Sequence, residues 1–240
     1  MMGGQSGARR ARHRATEDSR LSIAWDGITG ANVLDDAQLA SRHALADAAR
    51  DGAWATLLER LAQQPALVNA TRPGGTSLYA PLHQAAYGGA PREVVGELLR
   101  LGAWRTLRDA RRERPVDIAA RRGHRHLVEL LTPQPRRFVP DGTLCAIQRH
   151  FHDMIVGRIA HLRLDALRLP ELEPLLEYDA QADRMWFVVP GMYGGFDYAL
   201  RTDGAAAVLV SASWSRVVGG SGQRHEITAD GCTLVEEGFV

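Results

Sequence analysis

Three copies of one segment between residues 45 and 131 restrict the fold of this chain more than any other feature. The first copy is Leu45-Ala46-Asp47-Ala48-Ala49-Arg50-Asp51-Gly52, followed by Trp54, Leu57, Leu58 and Leu61. The second is Pro81-Leu82-His83-Gln84-Ala85-Ala86-Tyr87-Gly88-Gly89, followed by Val94, Val95, Leu98, Leu99 and Leu101. The third is Pro115-Val116-Asp117-Ile118-Ala119-Ala120-Arg121-Arg122-Gly123, followed by Leu127, Val128, Leu130 and Leu131. Their alanine pairs begin at 48, 85 and 119, spacings of 37 and 34 residues, the longer one carrying extra residues around Pro73 to Thr76. Similarity at such a period marks a unit that cannot bury its apolar face alone and must stack on its copies.

Each copy predicts a helix, a break and a second helix. Pro81 and Pro115 suit a first helical turn, where the missing N–H is no loss and φ is already helical. Small side chains at Ala85 and Ala86, or Ala119 and Ala120, let neighbouring units approach closely. Gly89 and Gly123 then end the helix in a conformation other residues avoid. The apolar residues after each break recur at helical spacing and supply the core.

The run from Pro81 to Ala86 resembles the Thr-Pro-Leu-His-x-Ala-Ala core of the ankyrin repeat family, with Ala80 in the threonine place. The resemblance covers residues 40–135. The first copy lacks the proline and the histidine and reads as a cap; the third has Asp117 for the histidine and Arg114 for the threonine. The resemblance implies a structural His83 bonded to adjacent backbone. It also implies a partner-binding surface made of the inner helices and the hairpins between repeats, to which Tyr79 and Tyr87 are assigned. The expected fold is α+β: a three-repeat helical stack over residues 35–135, then a capping helix and a small antiparallel β unit over 136–240. Function by this reading is non-enzymatic protein binding, as an adaptor, inhibitor or immunity-type protein, with no cofactor and no metal; the alternative is a small C-terminal hydrolase or transferase domain that the repeats deliver to its substrate.

Charge points to where a partner could sit. Residues 1–140 hold 21 Arg against 14 acids, net +7, whereas residues 141–240 hold 8 Arg against 14 acids, net −6. Such asymmetry either docks the two parts on each other or aims the basic part at an acidic partner. Arg105, Arg108, Arg111, Arg112 and Arg114 fall within ten residues, relieved only by Asp109 and Glu113. The planar guanidinium pairs well with carboxylates and phosphates, so an acidic protein surface is the first candidate partner of this hairpin and nucleic acid the second. All 29 basic residues are arginine, which suggests a GC-rich, bacterial coding sequence.

The flanks carry less. Residues 1–20 combine glycines with Arg9, Arg10, Arg12 and Arg14 and are expected to form a disordered basic arm. Leu21 to Leu34 has no helical period and is expected to cover the first repeat. A helix from Thr143 to near Leu164 is predicted by Leu144, Ile147, Phe151, Ile155 and Ile159, a face that packs on the last repeat or on the segment C-terminal to the helix. His150 and His152 on it cannot share a metal, since i and i+2 point apart. Strands are predicted at 185–189, 196–201, 206–213, 223–228 and 233–238, with Trp186, Tyr193 and Trp214 filling the sheet's core. Ser215, Ser221 and His225 are chemically capable, but catalysis requires His225 to be hydrogen-bonded to a serine or carboxylate inside a pocket. Cys145 and Cys232 lack a metal spacing and read as buried apolar residues. No apolar run reaches the roughly 18 residues of a membrane span, no secretory signal opens the chain, and a cytoplasmic location is expected.

Overall fold

The computed structural model describes residues 23–162, 165–178, 184–202, 206–215 and 220–238. The expected basic arm lies outside them, as does most of the turn between the fourth and fifth strands. Among the described residues are seven α-helices and one six-stranded sheet.

Six helices form three pairs: α1 (Asp36–Arg50) with α2 (Trp54–Gln63), α3 (Pro81–Gly88) with α4 (Arg92–Arg100), and α5 (Pro115–Arg122) with α6 (Arg125–Leu131). Local signals set their ends. Asp35 opens α1 in a capping box with Gln38: its carboxylate accepts the Gln38 N–H at 2.7 Å, and Gln38 Oε1 accepts the Asp35 N–H at 3.4 Å. Pro81 and Pro115 begin α3 and α5. Both helices stop at glycines in the left-handed region, Gly89 (φ 64°) and Gly123 (φ 79°).

The pairs stack, α1 on α3 on α5 and α2 on α4 on α6. Ala48, Ala49, Ala85, Ala86 and Ala119 are buried where helices meet; Ala120, with no fourth pair beyond it, is exposed. Leu57, Leu61, Leu82, Val95, Leu98, Ile118, Leu127 and Leu131 fill the core between layers. Each such burial is worth roughly 1.5–3 kcal/mol, and a pair standing alone obtains only part of it. Polar side chains tie successive hairpins. Asn69 donates to the Gly102 carbonyl at 2.9 Å and accepts the Trp104 N–H at 3.0 Å. His124 and His126 bond the carbonyls of Tyr87 and Ala90 at 3.1 and 3.2 Å.

The second core lies under a sheet of order β1 to β6: β1 (Ile23–Trp25), β2 (Met185–Val189), β3 (Gly194–Arg201), β4 (Val208–Ser215), β5 (Ser221–Ile227) and β6 (Cys232–Gly238). Strands β2 to β6 form an antiparallel meander at the predicted places. Helix α7 (Asp141–Arg158) buries Leu144, Ile147, Phe151 and Ile155 in the same cluster as Met185, Phe187, Phe196, Tyr198 and Leu209.

Four expectations are corrected here. Ile23 to Trp25 does not simply cover the first helix pair: it adds a strand parallel to β2, so the sheet is mixed. Helix α7 is not a lid on the helical stack, because its apolar face is spent on the sheet. Trp186 lies between fully buried Met185 and Phe187, so alternation sends it to the opposite face, where it stacks on Trp214 at 4.4 Å over Gly195; Tyr193 is 75% exposed. Both cysteines are exposed. No helix of the described residues is long and apolar enough to cross a membrane.

Candidate functional site

The arginine-rich hairpin between α4 and α5 turns on Asp109. Its buried carboxylate accepts the N–H groups of Arg111 and Glu113, each at 2.8 Å, and holds Arg112 at φ 67°. That turn spreads the arginines toward the segment 168–178, which returns from α7 to the sheet. There they meet glutamates. Arg108 grips Glu173 through Nε at 2.7 Å and Nη2 at 3.0 Å, and Arg114 donates to the same carboxylate. Arg112 and Arg168 both donate to Glu171, at 3.1 and 2.9 Å. Glu177 accepts the N–H and the hydroxyl of Thr106 at 2.9 and 2.6 Å, with Arg105 at 3.8 Å.

Beside these ions Trp104 of the helical stack enters the sheet's core. Trp25 of β1 stacks on Trp104 at 5.5 Å, and Trp104 Nε1 donates to the Tyr178 hydroxyl at 2.6 Å. Burial pushes the Glu173 carboxyl up, but Arg108 and Arg114 outweigh it and leave it below the usual carboxylate range. Of the two outcomes the charge asymmetry allowed, the chain takes the first: its basic hairpin docks on its own acidic segment. Among the five arginines assigned to a partner, Arg105, Arg108, Arg112 and Arg114 are thus paired within the chain, and Arg111 is left exposed.

His83 is fully buried and holds backbone at both ring nitrogens. The Leu107 carbonyl can only accept, so Nε2 carries the proton and donates to it at 3.0 Å, while Nδ1 accepts the Ala80 N–H at 3.2 Å. Burial, reinforced by Arg168, lowers its pKa to about 3, so it is neutral at physiological pH. Asp117 repeats half of this, accepting the Arg114 N–H at 2.8 Å. Tyr79 stacks on His83 at 5.6 Å, and Tyr87, 41% exposed, lies under the Arg122 guanidinium at 4.3 Å.

Tyr79 also borders a cavity of about 150 Å³ at the junction of α1, α3 and the hairpin 70–79. Leu45, Ala46, Ala49 and Pro81 make its apolar wall, and Arg42, Arg50, Arg72, Thr71 and Gln84 its polar one. None of these five residues was foreseen. A signal existed: the 37-residue spacing places its extra residues around Pro73 to Thr76, and Gly75 there lines the cavity.

Among the described residues no serine of the sheet is hydrogen-bonded to His225. His225 of β5 is half-buried opposite Ser211 of β4, yet neither His225 Nδ1 nor Ser211 Oγ has a hydrogen-bond partner, so they are not bonded to each other. Ser215 donates to the Met192 carbonyl at 2.9 Å, and Ser221 accepts from Arg158 at 2.6 Å. His152 bonds the Pro170 carbonyl at 2.7 Å. No protein-family model matches this chain, and no curated protein matches its sequence.

Proposed function

We propose that the three stacked helix pairs are ankyrin repeats and that the chain is a non-enzymatic binding module holding a protein partner along α1, α3 and the hairpin 70–79. The observation that carries this reading is the cavity, which opens where inner helices and hairpin meet and is walled by both apolar and hydrogen-bonding groups. His83 supports the family reading, since its two backbone bonds are the structural role the resemblance implies. The working face moves away from the arginine hairpin, whose charge is largely neutralised by Glu171, Glu173 and Glu177. Nucleic acid loses ground for the same reason, because phosphate contacts need uncommitted cations. Among the described residues Ser211 Oγ and His225 Nδ1 lack the mutual hydrogen bond a serine hydrolase uses, which favours the binding reading.

A photo-crosslinking amino acid at Gln84, beside the cavity, tests this in cells of the native host. A discrete crosslinked product is expected from Gln84 and none from Glu59, exposed on α2. No product from Gln84, or equal products from both, defeats the reading.

A further inference from the structure

The core face of the sheet changes character along its strand order. On β2 and β3 it carries Met185, Phe187, Phe196 and Tyr198, all fully buried. On β4 and β5 the facing pairs are Leu209 with Ile227, then Ser211 with His225, then Ser213 with Gln223; Leu209 and Ile227 belong to the apolar core, so alternation turns the other two pairs toward it as well. Arg158, at the end of α7, reaches this polar part. Its Nη2 donates to the carbonyl and hydroxyl of Ser221 at 2.8 and 2.6 Å, and no carboxylate among the described residues pairs with it. Ser211 Oγ, Ser213 Oγ, His225 Nδ1 and Arg158 Nε are all buried without a hydrogen-bond partner, four of the six such side-chain atoms among the described residues. Buried polar groups are almost always paired, so this concentration opposes the closed packing and is relieved when water enters.

Little apolar burial holds the strands above it. None of the seven residues of β6 is buried, and β5 buries only Ile227, so the hairpin is kept in place chiefly by its ladder with β4 and its contact with α7. A segment with so few buried apolar groups is the first to open. His225 is the titratable group at its centre. It lies between Ser211 of β4 and Leu234 of β6; its neighbours Arg224 and Glu226 point to the opposite face, and the charges that act on it are Arg158 of α7 and Glu237 of β6, the latter held by Gln223 at 2.7 Å. Burial, reinforced by Arg158, lowers its pKa below the ordinary 6.5, against an opposite pull from Glu237.

We infer that the β5–β6 hairpin is an acid-released flap: protonating His225 sets a second cation beside Arg158 on the core face, and the hairpin lifts from β4 and α7, hydrating the unpaired groups and leaving β4 as the edge of the sheet. The closed flap favours neutral His225, whereas in the lifted flap the ring titrates at its ordinary value, so opening increases as pH falls through 6.5.

Hydrogen exchange of the full chain tests this, read at the β5 and β6 amides against those of β3 and corrected for the pH dependence of intrinsic exchange. Between about pH 7.5 and about pH 5, on either side of the ordinary histidine range, protection of β5 and β6 should fall at least about threefold more than that of β3. His225→Gln should abolish this excess while His83, which also responds to acid, remains intact. Arg158→Gln, which removes the like charge and keeps the histidine, should shrink it. Parallel loss of protection in β3 and in β5–β6 of the wild type overturns the proposal, as does an excess that persists in His225→Gln. Should His225→Gln already be unprotected at neutral pH, Arg158→Gln decides: a reduced excess supports the flap and an unchanged one overturns it.

Discussion

Replacing Glu173 by glutamine should loosen the seam between the helical stack and the sheet without changing its shape. The carboxylate is 19% exposed and takes two hydrogen bonds from Arg108 and one from Arg114, whose side chains are 24% and 30% exposed. Exposed pairs contribute about 0–1 kcal/mol. Breaking a fully buried pair costs about 3–5 kcal/mol, because the surviving charge is stranded. At this intermediate burial, with two guanidiniums losing their partner, about 2 kcal/mol is expected, a fall in melting temperature of roughly 4–8 °C for a chain of this size. Arg111→Glu is the internal control: exposed and outside the seam, it should move stability by less than about 0.5 kcal/mol.

Acid supplies a second test by calorimetry. Glu173 has a folded pKa below its unfolded one, so its contribution is complete above the unfolded value and is lost as pH falls through the folded value. The gap between wild type and Glu173→Gln should therefore close below the usual carboxylate range. A variant as stable as the wild type at pH 7, or a gap that widens in acid, would refute the claim that these ions hold the two cores together.

His83 should govern milder acid. With a folded pKa of about 3 against an ordinary 6.5, the unfolded chain binds the extra proton between these values, so stability declines as pH falls from 6.5 toward 3. The slope from this group is at most about 1.4 kcal/mol per pH unit, and His83→Gln should flatten it even though it is less stable at pH 7; an unchanged slope in urea melts would contradict full burial. Gly89→Ala combines a left-handed φ of 64° with a Cβ only 2.5 Å from the His124 ring, which bonds the Tyr87 carbonyl. A cost of roughly 1–3 kcal/mol is expected, and chemical denaturation showing less than about half a kcal/mol would mean the α3 end is not built as described.

Much of the secondary structure was legible because its signals are local. Proline, alanine pair and glycine mark the inner helices by φ and side-chain size, and short apolar runs broken by glycine mark the strands from β2 on, whose side chains follow the alternation of a pleated strand. The same alternation separates Met185 and Phe187 from Trp186, so the outward tryptophan pair could have been read from it. What escaped depends on partners distant in sequence. Three residues at Ile23 to Trp25 have no strand signature of their own and are ordered by β2, some 160 residues away. The stripe on α7 specifies an apolar face but not whether a helix pair or a sheet covers it. Counting charges exposed the imbalance, while the pairing of Arg108 and Arg114 with Glu173 needed the fold to bring the hairpin against 168–178.

Whether this chain works through the face of α1, α3 and the hairpin 70–79, or through its arginine hairpin, is decided by the affinity of the crosslinked partner, once purified, for Ala46→Arg and Arg111→Glu. Ala46 lines the cavity, and a long side chain there fills it from a partly exposed position on α1. For Ala46→Arg a Kd at least tenfold weaker is expected at an unchanged melting temperature, and for Arg111→Glu no change. An undiminished affinity for Ala46→Arg together with a loss for Arg111→Glu would return the partner to the arginine hairpin and contradict the proposed face.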